Sequence, residues 1–169
     1  GPEVDKATWA THLQNQPFGS MDIFVCAPFP IPLMQSALEI TKASNPNIFN
    51  LWVPGQYADS MQADELRIAV KACDLLVGNA HEIDHIRRTA PGCLTGKSVI
   101  ETDGARPVRA LLSDGNQRTL PTPAVSPVVD PTGCGDAFVA GLIPSLLQTF
   151  GTLDSVRWEQ KINAIVRAG

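Results

Sequence analysis

One short stretch of this 169-residue chain combines residue types that can bind an anion and move a proton. It runs from Asp130 to Phe138 and reads D-P-T-G-C-G-D-A-F. Gly133 and Gly135 allow a tight turn with an exposed backbone. An apolar pattern with helical spacing follows, at Phe138, Val139, Leu142, Ile143, Leu146, Leu147 and Phe150.

A glycine turn that opens a helix leaves backbone N–H groups pointing outward at the positive end of the helix dipole, where anions bind. Asp136 places a carboxylate within that first turn. Amides stabilise charge on a moving phosphoryl group, and a carboxylate orients a hydroxyl and takes its proton, so the stretch fits phosphoryl transfer. The simpler interpretation is a helix N-cap in which Asp136 only complements the dipole.

The stretch resembles the anion-hole signature of the ribokinase-like (PfkB) carbohydrate kinases, whose usual form is D-T-x-G-A-G-D-x-F. The P-T-G-C-G-D variant is most similar to adenosine-kinase-like bacterial members. The resemblance implies a kinase that uses ATP and Mg²⁺ to phosphorylate a hydroxyl group of a sugar or nucleoside. It makes Asp136 the base and assigns the phosphoryl charge to the N–H groups of Gly133, Cys134 and Gly135.

A second motif, Asn79-Ala80-His81-Glu82, directly follows the apolar pattern Leu75–Val77. It resembles the N-x-x-E motif of the same family, which implies that Asn79 and Glu82 help to place Mg²⁺ and the phosphates. Mg²⁺ keeps several waters and needs only one or two carboxylates, and Glu82 can supply one. The alternative is a solvated helix start whose acid matches the helix dipole.

The same residues match a zinc-peptidase signature. His81–His85 fits H-E-x-x-H, in which two histidines on one helix face bind metal and Glu82 serves as base. The extended form of that signature fails, because Arg88 and Pro91 occupy the positions of its glycine and third histidine. A third ligand would have to be an Asp or a Glu. A zinc metallopeptidase is therefore the less favoured alternative.

Thr102 and Gly104 are assigned to the nucleotide through the resemblance. They match the family's T-x-G segment, which lines the nucleotide phosphates, at the end of a predicted strand. Pro107 stands where relatives usually have a second glycine. Because proline lacks an N–H and fixes φ, this departure bears on how closely the backbone approaches the nucleotide.

Three further positions also depend on the resemblance. Asp130 and Thr132 match positions that bind a monovalent cation, such as K⁺, in many relatives. Asn163, followed by Ala164, resembles an N-A pair near the family's adenine pocket.

Strands and helices that alternate along the chain must position these residues. The residue patterns predict strands at 22–27, 48–53, 74–78 and 98–102, a hairpin formed by 108–112 and 118–121, and helices beginning at Pro30 and covering 62–73, 79–88, 135–150 and 154–168. Such alternation is typical of an α/β fold with a mainly parallel sheet flanked by helices, which binds ligands at the carboxyl ends of its strands. Residues 1–20 form a separate segment or short helix, and 21–169 form the nucleotide-binding and catalytic part.

Composition limits the partners and the compartment. The net charge is −4 and no long basic run occurs, so we expect no nucleic-acid partner. No apolar run approaches membrane-spanning length, so we expect no membrane partner. The four cysteines lack C-x-x-C spacing and indicate free thiols, which is typical of a cytoplasmic protein.

The resemblance covers only the second part of the family fold, from about Ile23 onward. The first part, with a β-stranded lid and nearly all contacts to the sugar or nucleoside substrate, has no counterpart, and neither do the last strands. The fold is therefore expected to be incomplete, with an exposed sheet edge that a partner chain or self-association would cover. The second hypothesis for function is a non-catalytic nucleotide-binding or scaffold relative.

Overall fold

The computed structural model describes residues 5–123, 130 and 132–147. In this part, strands and helices follow one another as α1 (Lys6–Gln14), β1 (Ile23–Cys26), α2 (Ile31–Ser44), β2 (Phe49–Trp52), α3 (Ala63–Ala72), β3 (Leu75–Asn79), α4 (Ala80–Thr89), β4 (Ser98–Asp103), β5 (Arg106–Leu111), β6 (Gln117–Leu120) and α5 (Cys134–Leu147). Two short 3-10 segments, Phe18–Ser20 and Gly55–Ser60, connect these elements.

The strands form one sheet whose order follows the sequence, from β1 to β6. Strands β1 to β4 are parallel, whereas β5 and β6 form an antiparallel hairpin beside β4. The predicted α/β class, the mainly parallel sheet and the terminal hairpin are therefore confirmed. The carboxyl ends of β1 to β4 meet at one edge of the sheet.

Helices cover both faces of the sheet. When consecutive parallel strands lie side by side and their connections are right-handed, the connecting helices lie on the same face of the sheet. Residues of α2, α3 and α4 accordingly share one apolar cluster with Trp52, Leu76 and Val99. Helix α5 packs on the opposite face, where it shares a second cluster with Leu75 and Ile100. The first helix, α1, lies within residues 1–20, where a short helix was one of the two expectations. Its Trp9 indole N–H donates to the Leu33 carbonyl at 2.9 Å.

The predicted strand boundaries lie within two residues of the observed ones, but the 3-10 segment Gly55–Ser60 was not predicted. Gly55 has a φ of +55°, and a Cβ at this position would lie 2.5 Å from Pro28 Cγ. The close approach of two loops therefore requires glycine here. The predicted helix 154–168, which contains Asn163, lies outside the described residues, as does the end of the helix predicted at 135–150.

None of the helices in the described ranges is both long and apolar enough to cross a membrane.

Candidate active site

The glycine-rich turn leads directly into α5. Gly133 has a φ of +80°, a left-handed conformation that glycine adopts without strain. Gly135 already lies in α5 and has no positive φ. Of the two glycines, only Gly133 therefore has a left-handed backbone conformation. A Cβ built on either glycine would meet no atom of the described residues within 4 Å, so these residues leave the surface of the turn open.

Four consecutive backbone N–H groups at this turn have no acceptor among the described residues: those of Gly133, Cys134, Gly135 and Asp136. The first hydrogen bond of the helix runs from the Ala137 N–H to the Gly133 carbonyl at 2.9 Å. Unpaired N–H groups at a helix N-terminus attract anions through hydrogen bonding and through the helix dipole. The Asp136 side chain, in the same first turn, is exposed. The turn therefore presents donors and a carboxylate to solvent together.

Helix α5 is held to the sheet by its apolar face. Val139, Leu142 and Leu146 are buried in one cluster with side chains of β2 to β5. Burial of a large aliphatic side chain contributes about 1.5–3 kcal/mol. These contacts hold α5 against the sheet. The N–H groups at its N-terminus are therefore held in place by a packed helix.

Asn79 and Glu82 form a reciprocal capping box at the start of α4. The Asn79 backbone N–H donates to Glu82 Oε2 at 3.0 Å, and the Asn79 side-chain amide donates to Glu82 Oε1 at 2.8 Å. In return, the Glu82 N–H donates to Asn79 Oδ1 at 2.9 Å. The pair thus has a structural role in ending β3 and starting α4. Each carboxylate oxygen still has a second lone pair for another partner.

Gly78, the residue before Asn79, allows the Glu82 carboxylate to lie close to β3. A Cβ on Gly78 would be 2.9 Å from Glu82 Oε2 and 3.1 Å from Ile83 Cδ1. Gly78 was not among the residues predicted to matter. It could have been recognised as a glycine inside an otherwise apolar strand, because such a glycine often marks the close approach of another group.

Burial of the Glu82 carboxyl raises its pKa above the ordinary value of 4.5, and the nearby Asp59 acts in the same direction. A carboxyl whose pKa is higher in the folded than in the unfolded state contributes stability below the unfolded pKa, and this contribution is lost as pH rises through the folded pKa. We therefore expect the free energy of unfolding, relative to that of Glu82→Gln, to fall as pH rises from the ordinary value of 4.5 toward neutrality. Urea unfolding of both proteins across this range measures the difference, and a pH-independent difference would contradict the raised pKa.

Thr102 and Gly104 lie at the end of β4, beside the capping box. Thr102 is in register with Asn79 of the neighbouring parallel strand. Gly104 has a φ of +56° in the turn between β4 and β5. Pro107 lies in β5 next to the irregular pairing between β4 and β5, a position where the missing N–H of a proline is tolerated. The structure thus brings Asn79, Glu82, Thr102 and Gly104 to the carboxyl edge of β3 and β4.

Asp130 and Thr132 are linked to each other at the entry to the turn. The Thr132 N–H donates to Asp130 Oδ1 at 2.8 Å. This bond, together with the Thr132 hydroxyl, lowers the pKa of the exposed Asp130 carboxyl below its usual value. Asp130 is therefore a carboxylate at neutral pH.

His81 and His85 both lie beside Asp59, a residue of the segment Gly55–Ser60. His81 Nε2 and His85 Nδ1 are 3.3 Å and 3.8 Å from Asp59 Oδ1, respectively. Glu82 is engaged with Asn79 instead. Among residues 5–123, 130 and 132–147, no group of three His, Cys, Asp or Glu side chains is arranged to hold a metal ion. The geometry therefore does not favour the zinc-peptidase interpretation.

Comparisons with known proteins give a consistent result. A model for the pfkB family of carbohydrate kinases matches residues 2–169. The chain is 33% identical over 111 residues to the nucleoside kinase of Methanothermobacter thermautotrophicus, an alignment that covers 56% of this chain and 32% of that protein.

Solved structures with the same fold include further nucleoside kinases. The nucleoside kinase of Burkholderia thailandensis in complex with inosine has a TM-score of 0.74 at 19% identity, over 90% of this chain and 51% of that one. Its complex with ADP-inosine has a TM-score of 0.72 at 20% identity, over 84% and 44% of the two chains. The adenosine kinase of Anopheles gambiae, in complex with P1,P4-di(adenosine-5) tetraphosphate, has a TM-score of 0.67 at 22% identity, over 90% and 52%. These likenesses confirm a ribokinase-like fold, and the chain spans about half the length of these solved relatives.

Proposed function

Because this chain belongs to the pfkB family of carbohydrate kinases, we propose that it carries the nucleotide-binding and catalytic part of an ATP-dependent nucleoside or sugar kinase. The observation that carries the proposal is the turn before α5. There, four adjacent N–H groups without an acceptor among the described residues stand beside the exposed carboxylate of Asp136. Donors of this kind stabilise charge on a phosphoryl group, and a carboxylate accepts a hydroxyl proton.

In this mechanism, Asp136 orients the acceptor hydroxyl and takes its proton as the hydroxyl oxygen bonds to the γ-phosphorus. The bond between that phosphorus and the ADP oxygen breaks in the same displacement. The N–H groups of Gly133, Cys134 and Gly135 hold the charge on the phosphoryl oxygens. Asp136 lies in the first turn of α5, beside these N–H groups.

The residues at the strand ends fit a nucleotide with its metal. ATP supplies the phosphoryl group, and Mg²⁺ neutralises charge on its phosphates. Glu82 keeps a free lone pair on each oxygen, which suits a contact to Mg²⁺ through water, and Asn79 holds Glu82 in place. Thr102 and Gly104 would contact the phosphates. Asp130 and Thr132, at the entry to the turn, would hold a monovalent cation.

A nucleoside is the favoured acceptor. The curated relative and both solved relatives described above are nucleoside or adenosine kinases, and one was solved with inosine.

We further propose that β1 acquires a neighbour from outside the described residues or from a partner chain. Among the described strands, β1 is at the edge of the sheet, and an unpaired edge would invite aggregation.

The proposed activity is tested in the protein that carries this chain. We expect Mg·ATP to bind in isothermal titration, and ADP to form in a coupled assay when inosine or adenosine is added. A panel of sugars in the same assay distinguishes the two acceptor classes. Binding of Mg·ATP without turnover of any nucleoside or sugar would instead support a non-catalytic relative. Bound zinc in purified protein, with no nucleotide binding, would overturn the kinase assignment.

A further inference from the structure

A buried carboxylate joins three elements on the face of the sheet opposite α5. Glu101 of β4 is only 3% exposed, and it forms ion pairs with two arginines. One is Arg109 of the neighbouring strand β5. The other is Arg87 of α4, whose Nη2 lies 3.2 Å from Glu101 Oε2. The sequence alone did not indicate this cluster.

The two arginines connect Glu101 to different parts of the fold. Arg109 is already paired with Glu101 by strand register, since the two residues face each other across β4 and β5. Its ion pair therefore duplicates a connection that the sheet provides. Arg87 joins Glu101 to a helix that packs on the sheet without main-chain hydrogen bonds. Asp84 Oδ1, 2.9 Å from Arg87 Nη1, orients the guanidinium from within α4.

Packing alone does not hold the Arg87 side chain in place. Its side chain is 42% exposed, and a cavity of about 100 Å³ lies beside it, bordered also by Glu101 and Arg109. The ion pairs with Glu101 and Asp84 therefore select its position. A carboxylate this deeply buried is costly unless it is paired, so Glu101 depends on its two arginines. Arg87 is the one of the two that ties this carboxylate to α4.

The connection leads to the site at the strand ends. Glu101 immediately precedes Thr102 in β4, and Arg87 lies on the helix that begins with the Asn79–Glu82 capping box. We propose that Glu101 is a positioning residue that, through Arg87, fixes α4 against β4 and so holds Glu82 in place relative to Thr102. Its effect on catalysis rests on the proposed kinase function, whereas its effect on the position of the capping box does not.

The test compares Arg87→Gln with Arg109→Gln, since each removes one of the two charged partners of the same carboxylate. NMR of the chain reports on the capping box through the Asn79 side-chain amide and the Glu82 N–H. We expect both signals to shift in Arg87→Gln and to stay in place in Arg109→Gln. Equal shifts in the two variants, or none in Arg87→Gln, would overturn the proposal even if the protein proves not to be a kinase.

Activity provides a second measurement in the protein that carries this chain. Outer-shell partners of a metal site typically change metal affinity or activity by about 10–100-fold, so we expect Arg87→Gln to raise the Mg²⁺ concentration for half-maximal rate about tenfold. Arg109→Gln should stay within about twofold, and Arg87→Lys, which keeps a charge near Glu101, should recover most of the loss. If Arg87→Gln does not fold, Arg87→Lys and Arg109→Lys are compared by NMR instead. Lysine cannot contact Asp84 and Glu101 together as the guanidinium does, so a smaller shift confined to Arg87→Lys is expected, and equal shifts in the two variants would overturn the proposal. Similar Mg²⁺ dependence in all variants would contradict the positioning role.

Discussion

Replacement of Asp136 by Asn in the protein that carries this chain should lower kcat by about 10³-fold, the range expected for loss of a general base. Asparagine has the same shape but cannot accept the proton of the acceptor hydroxyl. The Kd for Mg·ATP should stay within about threefold, because the N–H groups of the turn do not depend on this side chain. Steady-state kinetics and isothermal titration measure the two quantities.

Asp22→Asn is the matched control for this substitution. Asp22 is also exposed but lies before β1, away from the turn. Asp22→Asn therefore changes the net charge as Asp136→Asn does, but at a residue with no proposed role in catalysis. We expect its kcat to equal that of the unsubstituted protein. If Asp136→Asn keeps a tenth or more of the original kcat, Asp136 is not the base.

The second large effect is expected at Gly133. An Ala here must adopt the φ of +80° that Gly133 has, which costs an L-residue about 1–2 kcal/mol, or it must move the backbone. Movement would displace the N–H groups that hold the phosphoryl charge, and loss of one such donor costs about 10²–10³ in kcat. We therefore expect Gly133→Ala to reduce both the free energy of unfolding and kcat.

Gly135→Ala separates backbone strain from blocked access. Gly135 is in helical conformation, and none of the described residues would lie within 4 Å of a Cβ there. Ala should therefore leave the free energy of unfolding unchanged or raise it slightly. Its kcat should still fall if a phosphate approaches this backbone closely, because the added methyl group would occupy that space. Urea unfolding and kinetics on both variants provide the comparison. Equal unfolding free energies for Gly133→Ala and Gly135→Ala would contradict the strain argument.

The order of the helices and strands could be predicted because local residue patterns indicate most of them. Pro or Gly closely follows most of the strands, and apolar residues alternate or repeat with helical spacing. The end of β3 was placed within one residue, since the acid and amide of Asn79–Glu82 follow an apolar strand directly. The turn before α5 was also predicted, because two glycines and an Asp before a helical pattern favour few other structures.

The rest depended on contacts between distant parts of the chain. Nothing local marks Gly55–Ser60 as a 3-10 segment, and the residue that leaves no room for a Cβ on Gly55 is the distant Pro28. Glu101 carried a signal, a charged residue in an apolar strand, but its partners Arg87 and Arg109 come from a helix and a later strand. Sequence spacing cannot show that these three side chains meet. It also could not show that Asn79 and Glu82 bond to each other.

The central claim is that the N–H groups from Gly133 to Gly135 hold a transferring phosphoryl group while Asp136 receives the proton. A crystal structure of the protein that carries this chain, with ADP, aluminium fluoride and a nucleoside, tests it most directly. We expect fluoride ligands within about 2.7–3.1 Å of those nitrogens, and the Asp136 carboxylate within hydrogen-bonding distance of the nucleoside hydroxyl. Aluminium fluoride bound away from this turn, or a different group facing the hydroxyl, would contradict the account.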